Sequence, residues 1–496
     1  MQRAFISLEE QIFDWSRSNP NKIALVDKEI HISYHDLSVR IQLYAYVFRN
    51  VLKLKEKDVV LVIAERSFSF IATYFALHLN GIIAVIIDPE VSVSRFNFIK
   101  EKTNAKILIR TGSGNFFNEN VINIDKVVSE TDWPIIDYDC KIRHFPSKDE
   151  LADLIFTTGT TGIPKGVFLT HENISASAKN INTFIQNGFE DIELVALPLS
   201  HSFGLGRIRS VLSSGGTIVL SNGFSNVKQI FRLIEKYKVT GLSFVPAAVS
   251  FMLKMSGDKI SEYANQLRYM EIGSAPMSIE NKKYLISLLP NTRICMHYGL
   301  TEASRSTFLE FSSDSNNLET IGKASPNVEV CIMDESGNSQ PIEVEGEICI
   351  KGSHVARNYM GVGKQGLLTL FWQDFLRSGD YGILTSDGYL KLVGRKSDII
   401  NVGGKKVHPS EIEDVLNSIE HIEESACIGI PDPHEVLGEV VRAYLKGKSE
   451  LVDIENVKKI ITSLLESYKC PVEYIWVEEI PKTESGKLKR AVLKSI

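Results

Sequence analysis

The chain has 496 residues, of which 44% are hydrophobic and 23% are charged, and its formal net charge is −6. This composition is ordinary for a globular protein of two or three domains, and the negative charge argues against nucleic acid as a partner. The longest apolar runs, such as residues 82–87, are far too short to cross a bilayer, so no integral membrane segment is predicted.

The cysteines and the first residues bear on the cellular compartment. Six cysteines are scattered along the chain without a CxxC pair, which argues against a zinc site and against a disulfide scaffold. Arg3 is soon followed by Glu9 and Glu10, a pattern that does not resemble a signal peptide. A reducing, cytoplasmic location is therefore expected.

Strand-like and helix-like patterns alternate through the first 390 residues. Residues 59–64 predict a strand, residues 68–79 a helix, residues 81–87 a second strand, and residues 105–109 a candidate third strand. This alternation predicts α/β layers with parallel strands. The unbroken apolar run within the second strand is typical of a strand that is buried on both faces.

Two later segments differ from this pattern. Residues 329–333 and 345–350 flank the turn-rich segment 334–338, which predicts a hairpin in a smaller antiparallel or barrel-like subdomain. Further on, residues 409–413 predict a helix start in which Ser410 is the N-cap and Glu413 lies three residues on.

A loop rich in threonine and glycine follows the apolar run at residues 154–156. Hydroxyls, backbone N–H groups and an ammonium are what a polyphosphate needs from a protein, and glycine lets the backbone approach closely. Pro164 stands five residues after Gly159, so the loop is not a Walker A motif. The alternative is a surface turn between a strand and a helix. The candidate phosphate ligands are Thr157, Thr158, Gly159, Thr160, Thr161, Gly162 and Lys165.

The same loop resembles the signature loop of the adenylate-forming superfamily. That group includes acyl- and aryl-CoA synthetases, luciferases and the adenylation domains of nonribosomal peptide synthesis. Four more segments follow in the expected order, at residues 297–302, 378–382, 394–405 and 481–487, and a weaker match lies at residues 79–89. The chain is therefore identified as a member of this superfamily over nearly its whole length.

The resemblance implies an α/β architecture with a mobile second domain. A large N-terminal domain, residues 1–393, would consist of layered α/β subdomains and a small barrel-like β subdomain. Residues 394–397 would form the hinge, and residues 398–496 a small α+β domain that swings between half-reactions. The family's pivot is usually Asp or Lys two residues after the motif's arginine. Here Ser397 occupies that position and Asp398 follows, so the identity of the hinge residue stays open.

The implied reaction has two halves. A carboxylate attacks the α-phosphate of ATP, with Mg²⁺ present, to give an acyl-adenylate and pyrophosphate. A thiol then attacks the acyl carbonyl, and AMP leaves. Because two anions must meet in the first half, positive charge and oriented N–H dipoles are expected to dominate catalysis.

The motif at residues 297–302 is implied to bind adenine and metal. Glu302 would ligate Mg²⁺, Thr301 would lie near the α-phosphate, and Tyr298 would stack on adenine. The alternatives are an ordinary helix start for Thr301 and Glu302, and a core position for Tyr298. The implied adenine-binding residues are Gly273, Ser274, Ala275, Pro276, His297, Tyr298 and Gly299.

The later motifs are implied to bind the ribose and to supply the catalytic lysine. Asp380 would accept hydrogen bonds from both ribose hydroxyls, and Arg395 would reach the ribose or phosphate side. Lys487 would neutralise charge between the carboxylate and the α-phosphate. Gly403 and Gly404 would border the thiol tunnel after the small domain has swung. The excess of basic residues near the C-terminus, taken alone, would instead predict that Lys487 belongs to a solvated basic terminus.

The acid and the thiol acceptor are less constrained. Residues 197–204 resemble the acyl- and aryl-acid branch, in which His201 would gate the carboxylate end of the pocket, and the aspartate that pairs with an α-ammonium is missing from residues 201–206. The acceptor is CoA or the phosphopantetheine arm of an acyl carrier protein. A nucleotide-binding homologue without turnover is the remaining alternative.

Overall fold

The computed structural model describes residues 5–112, 116–117, 119–131, 145–157, 165–363, 366, 369–434, 436–482 and 488–494. The chain divides into two compact units. The first unit comprises Met1–Leu318, Gly322–Glu329 and Lys351–Phe371, and the second comprises Glu319–Ile321, Val330–Ile350 and Trp372–Ile496. The boundary proposed at residues 394–397 stays a prediction.

The strands in chain order are β1 (Ile23–Asp27), β2 (Ile30–Ser33), β3 (Val59–Ile63), β4 (Ile83–Ile87), β5 (Ile107–Arg110), β6 (Val121–Asn123), β7 (Leu151–Thr157), β8 (Lys165–Thr170), β9 (Ile192–Val195), β10 (Thr217–Leu220), β11 (Gly241–Phe244), β12 (Tyr269–Ile272), β13 (Arg293–Tyr298), β14 (Thr307–Glu310), β15 (Lys323–Ala324), β16 (Glu329–Met333), β17 (Gly346–Lys351), β18 (Asn358–Tyr359), β19 (Phe371–Trp372), β20 (Phe375–Leu384), β21 (Leu390–Arg395), β22 (Ile400–Val402), β23 (Lys405–Val407), β24 (Ile422–Pro431), β25 (Glu439–Gly447) and β26 (Glu473–Trp476).

The described helices are α1 (Leu8–Ser18), α2 (Tyr34–Tyr46), α3 (Phe68–Leu79), α4 (Val93–Thr103), α5 (Ile124–Glu130), α6 (His171–Ile185), α7 (Ser202–Ser213), α8 (Val227–Tyr237), α9 (Pro246–Ser256), α10 (Ile279–Leu288), α11 (Pro409–Asn417), α12 (Ile454–Leu464) and α13 (Arg490–Leu493). None of these helices combines the length and the apolar character needed to cross a membrane. The cytoplasmic location stays a prediction.

Two large sheets form the first unit. One has nine strands in the order β15-β14-β13-β12-β11-β9-β10-β1-β2, and the other has seven in the order β18-β8-β7-β4-β3-β5-β6. In both sheets the central strands run parallel; antiparallel strands lie at both ends of the nine-stranded sheet and at the β18-β8 end of the seven-stranded sheet. Parallel strands with helices between them are what the alternating sequence pattern predicts, and the expected α/β class is confirmed.

The early elements agree with the sequence pattern. All five residues of β4 are buried, and β4 pairs in parallel with β3 on one side and β7 on the other. Helix α3 has the predicted bounds, and the hydroxyl of Ser67 accepts a hydrogen bond from the N–H of Phe70 at its start. The strand predicted at residues 105–109 is also present, shifted by one to two residues as β5.

The second unit contains the predicted hairpin. Strands β16 and β17 are neighbours in a five-stranded sheet, and in the turn between them Asp334 Oδ1 accepts from the N–H groups of Ser336 and Asn338, both at 2.8 Å. Towards the C-terminus, helices α11 and α12 share an apolar core with the sheet β24-β25-β26.

The predicted N-cap at Ser410 is wrong. Helix α11 starts at Pro409, and His408 is its N-cap. Proline fits the first helical position because that N–H would have no intrahelical partner. The Ser410 hydroxyl donates instead to the carbonyl of Val393, and the Glu413 carboxylate accepts from the N–H of Cys427 at 2.6 Å. Both side chains therefore fix the helix against neighbouring segments.

Candidate active site

The threonine- and glycine-rich loop joins two antiparallel strands. Thr157 ends β7, Lys165 begins β8, and the two residues pair across the ladder. The loop is therefore the end of a hairpin, and the alternative of a turn between a strand and a helix is wrong. Lys165 is exposed and Thr157 is half-buried. The remaining candidates, namely Thr158, Gly159, Thr160, Thr161 and Gly162, lie outside the described residues.

The carboxyl ends of β12 and β13 bring two predicted motifs together. These strands pair in parallel, so residues 273–276 and residues 298–302 leave the sheet at the same edge. In open α/β sheets ligands bind outside the carboxyl ends of the strands. The edge of the nine-stranded sheet is therefore a candidate nucleotide site, with the predicted adenine wall on one strand end and Tyr298 on the next.

Close backbone approach explains two residues of the predicted adenine wall. A Cβ atom at Gly273 would lie 2.1 Å from Cε1 of His297, so only glycine lets that ring pack against the backbone. Ser274 has φ +77°, a conformation that is costly for a residue with a side chain and that occurs preferentially at functional sites. The structure thus holds this wall in one fixed shape.

Thr301 and Glu302 lie in a compact turn between β13 and β14, and they do not begin a helix. The turn is closed by hydrogen bonds between the backbones of Leu300 and Ala303, at 3.0 and 3.2 Å, and the carbonyl of Glu302 accepts from the N–H of Ala356 at 2.7 Å. Both side chains are half-buried. A carboxylate and a hydroxyl held on a rigid turn are the hard oxygen ligands that suit Mg²⁺.

A buried charge network lies directly beneath this edge. The Glu271 carboxylate, on β12, lies 2.7 Å from Nδ1 of His297 and 3.1 Å from Nε of Arg305. Its other oxygen forms an ion pair of 3.1 Å with Arg207 on α7. Arg207 also donates to the buried Glu193 carboxylate at 2.8 Å. Two arginines and two glutamates thus neutralise one another in the interior.

The electrostatics of the network follow from that pairing. Burial alone would raise the pKa of Glu271, but Arg305, Arg207 and His297 outweigh it and hold the pKa below its usual range. Burial lowers the pKa of His297, against the opposing pull of Glu271. His297 is therefore a neutral ring that packs against Gly273 in the predicted adenine wall.

Arg305 connects this network to the segment that contains His201. Its guanidinium donates to the carbonyls of Ser202 at 2.9 Å and Phe203 at 3.0 Å, at the start of α7. The Phe203 ring packs edge-on against His297, with centroids 4.6 Å apart. His201 is the N-cap of α7 and is exposed. The structure thus brings the predicted gate to the same edge of the sheet as the adenine wall.

Sequence reasoning missed the network residues Glu193, Arg207, Glu271 and Arg305. Each glutamate lies in a four-residue strand that is otherwise mostly apolar, and each arginine is fully buried. A charged residue inside a short apolar strand has to be paired, because burying an isolated charge is very costly. That signal was present in the sequence, but it does not identify the partner.

In the second unit, the predicted ribose residues meet across a strand pair. Asp380 and Arg395 are directly opposite in the antiparallel register of β20 and β21, and Nε of Arg395 lies 2.8 Å from Oδ1 of Asp380. The Asp380 side chain is 5% exposed and that of Arg395 is 37% exposed. The guanidinium therefore fixes a buried carboxylate in a single orientation.

Gly403 and Gly404 form the two-residue turn between β22 and β23. Their φ values are +60° and +83°, as in the two-residue turns of tight β-hairpins. This turn geometry is by itself sufficient reason for glycine at both positions. Asp398 forms an ion pair of 3.3 Å with Arg490, and its Oδ1 accepts from Ser397 at 3.0 Å. Lys487 lies outside the described residues, and the choice of hinge residue stays open.

Two family models match the chain, one described as AMP-binding enzyme over residues 12–360 and one as AMP-binding enzyme C-terminal domain over residues 411–487. The chain is 31% identical to the 2-succinylbenzoate–CoA ligase of Bacillus pumilus, covering 72% of this chain and 71% of the relative. It is 27% identical to the 4-coumarate–CoA ligase-like 6 of Arabidopsis thaliana, covering 97% and 89%.

Solved structures agree with these matches. The o-succinylbenzoate CoA synthetase of Bacillus subtilis, in complex with its acyl-adenylate intermediate, has a TM-score of 0.87 and 25% identity, covering 98% of this chain and 97% of that one. The same enzyme in complex with ATP and a magnesium ion has a TM-score of 0.86 and 25% identity, covering 98% and 99%. The matches confirm the resemblance drawn from the five motifs.

Replacing Glu271 with glutamine is expected to destabilise the first unit by about 3–5 kcal/mol, because Arg305 and Arg207 would remain buried with too little negative charge. Hydrogen exchange of the peptides that cover β12 and β13, together with denaturant unfolding, measures this loss. Glu262→Gln removes an exposed carboxylate and is the control. Equal effects of the two variants would contradict the assigned role of the network.

Proposed function

Because the chain belongs to the AMP-binding enzyme family, we propose that it activates a carboxylic acid with ATP and transfers the acyl group to CoA. In the first half-reaction the carboxylate oxygen bonds to the α-phosphorus and pyrophosphate leaves. In the second half-reaction the CoA sulfur bonds to the acyl carbon and AMP leaves. The relatives that ligate succinylbenzoate or coumarate to CoA support this assignment by their names.

One observation carries the proposal. Three predicted motifs that lie far apart in sequence meet at the carboxyl edge of the nine-stranded sheet. They are the His201 segment, the wall at residues 273–276 and the turn from Tyr298 to Glu302. Hydrogen bonds and ion pairs of Glu271 and Arg305 connect these three segments. No single motif would require that arrangement, whereas a nucleotide beside an acid pocket does.

The residues divide the work of the first half-reaction. Glu302 and Thr301 would hold Mg²⁺, which when bound neutralises phosphate charge. Lys165 and the threonines of the loop would hold the β- and γ-phosphates through an ammonium and hydroxyls. Asp380 would accept from the ribose hydroxyls, and Arg395, 2.8 Å away, holds that carboxylate in one orientation.

Lys487 and the glycine turn would serve different half-reactions. The lysine ammonium would offset the repulsion between the incoming carboxylate and the α-phosphate during adenylation. Gly403 and Gly404 would line the path of the thiol during transfer, where a bare backbone leaves room for the pantetheine arm. We propose that a rotation of the second domain withdraws Lys487 from the site after adenylation and brings the glycine turn to it for thiol transfer.

The acid is proposed to be an organic acid without an α-amino group. His201, at the start of α7, would face its carboxylate, and its ring can donate a hydrogen bond to that group. The missing aspartate at residues 201–206 leaves an α-ammonium without the partner it has in amino-acid-activating relatives.

Exchange of labelled pyrophosphate into ATP tests the first half-reaction directly. We expect exchange with one class in a panel of hydroxycinnamic, succinylbenzoic, short-chain and long-chain aliphatic acids, and none with α-amino acids. With that acid, mass spectrometry should detect a CoA thioester. A product formed only on a holo-carrier protein would replace CoA as the acceptor, and exchange with no acid would favour a homologue that only binds nucleotide.

Lys487→Ala is expected to lower the exchange rate by at least about 100-fold, since it removes the charge that stabilises the adenylation transition state. Thioester formation from supplied acyl-adenylate and CoA should stay within about twofold of wild type. Lys489→Ala, which removes an exposed lysine two residues away, is the control. Equal loss of both half-reactions in Lys487→Ala would argue against separate roles for the lysine and the glycine turn.

Asp380→Asn is expected to lower kcat/KM for ATP by about 10- to 100-fold, because a hydrogen bond to a charged group contributes about 1.5–3 kcal/mol. Steady-state kinetics with ATP and with 2′-deoxy-ATP distinguish the loss of a contact to the ribose hydroxyl from a general loss of activity. The wild type should discriminate against the deoxynucleotide, whereas the variant should discriminate much less. Asp387→Asn, in an exposed turn, is the control. Undiminished discrimination by Asp380→Asn would place the ribose elsewhere.

A further inference from the structure

A second buried polar cluster lies in the first unit, formed by residues of three helices. Glu9 comes from α1, His78 from α3 and His171 from the first position of α6. All three side chains are fully buried. None of the sequence motifs includes these residues, and the proposed reaction does not use them.

The three side chains converge on one point. Oε1 of Glu9 lies 2.8 Å from Nδ1 of His78, and Oε2 of Glu9 lies 3.6 Å from Nδ1 of His171. The two imidazole rings are nearly perpendicular, at 81°, with centroids 4.8 Å apart. One ligand atom from each residue lies within 4.8 Å of the other two. This is the spacing of a small coordination sphere.

Three of these buried atoms have no hydrogen-bond partner in the described part of the chain. They are Oε2 of Glu9 and both ring nitrogens of His171, and of these Oε2 lies 3.6 Å from Nδ1, within ion-pair distance. Leaving a buried polar atom unsatisfied costs about 1–3 kcal/mol. A proton on His78 would satisfy that ring and one oxygen of Glu9, but it would leave His171 with only the 3.6 Å contact at Nδ1 and with no partner at Nε2 in the described part of the chain. An ion pair alone therefore does not account for the cluster.

The surroundings of His78 match those of a metal-bound histidine. Its Nε2 lies 3.2 Å from Oδ1 of Asp153, and Asp153 is in turn held by the Tyr74 hydroxyl at 3.2 Å and by Arg209. A histidine that ligates a metal almost always donates its other N–H to a carboxylate, which fixes the ring and raises its basicity. Here that carboxylate is itself anchored.

We propose that Glu9, His78 and His171 form a structural site for a divalent transition metal, with Zn²⁺ the best match. Two imidazoles and a carboxylate suit zinc, and ligand atoms around a tetrahedral zinc lie about 3.3 Å apart. The separations of 2.8 Å from Oε1 of Glu9 to His78 and of 3.6 Å from Oε2 of Glu9 to His171 lie on either side of that value. The cysteine pattern, which argued against zinc, does not bear on a site built from histidine and glutamate.

The site would cross-link three helices and would not catalyse. Metal binding replaces the contact between Glu9 and His78 with two metal–ligand bonds and releases any proton held on Nδ1. The second oxygen of Glu9 or one water molecule would complete the coordination. Complete burial keeps substrates away, so the expected effect of the metal is on stability.

The test uses the full chain, incubated with Zn²⁺ and then desalted in the presence of a weak chelator. We expect about one zinc per chain, as for a site with three protein ligands, measured by inductively coupled plasma mass spectrometry. The Co²⁺-loaded protein should show the intense visible absorption of a tetrahedral site. His171→Gln should lose both signals. His354→Gln, a change at an equally buried histidine outside the cluster, should keep both.

A second variant protects the test against a folding defect. Asp153→Asn retains all three ligands and should weaken zinc affinity by about 10- to 100-fold, as measured by chelator competition. Strong chelation should lower the thermal midpoint of the wild type but not that of His171→Gln. Equal zinc in the wild type and His171→Gln, or a folded wild type that retains no zinc after loading, would overturn the proposal. Neither result depends on the ligase activity.

Discussion

One buried carboxylate, that of Glu271, holds the candidate site of the first unit together. It lies on a central strand and contacts His297 on the next strand, Arg305 on the turn after it and Arg207 on α7. Burying these charges separately would be very unfavourable, so the four side chains have to fold as a set. As a consequence, the adenine wall, the Thr301–Glu302 turn and the His201 segment are fixed relative to one another before any ligand binds.

The parallel sheet explains why such distant motifs are brought together. In a parallel pair the carboxyl ends of the strands meet at one edge, so loops that follow β12 and β13 become neighbours even though a helix separates the strands in sequence. The apolar runs predicted that sheet well, because a strand buried on both faces has to be apolar throughout. Fold class, the early strands and α3 were therefore accessible from local pattern.

The side-chain pairings and the helix cap could be determined only from the three-dimensional structure. The pairing of Asp380 with Arg395 depends on the register of β20 and β21, which a one-residue slip would destroy. The N-cap of α11 was assigned to Ser410 by its residue type, although the tertiary contact with Val393 determines where that hydroxyl points. Charged residues inside apolar strands were visible in the sequence, but their partners lie between 14 and 64 residues away and could not be chosen without the fold.

The two buried polar clusters of the first unit differ in how completely they are satisfied. Around Glu271, two arginines face two glutamates and the charges cancel, and the atoms of that cluster without a hydrogen bond lie within ion-pair distance of an opposite or titratable partner. Around Glu9, Arg209 and Asp153 also cancel, but Nε2 of His171 is buried with neither a hydrogen bond nor an ion-pair partner in the described part of the chain. Native interiors rarely leave such an atom unpaired, and this nitrogen distinguishes the second cluster from the first. A divalent ion coordinated by Glu9, His78 and His171 would supply a bond to one nitrogen of that ring.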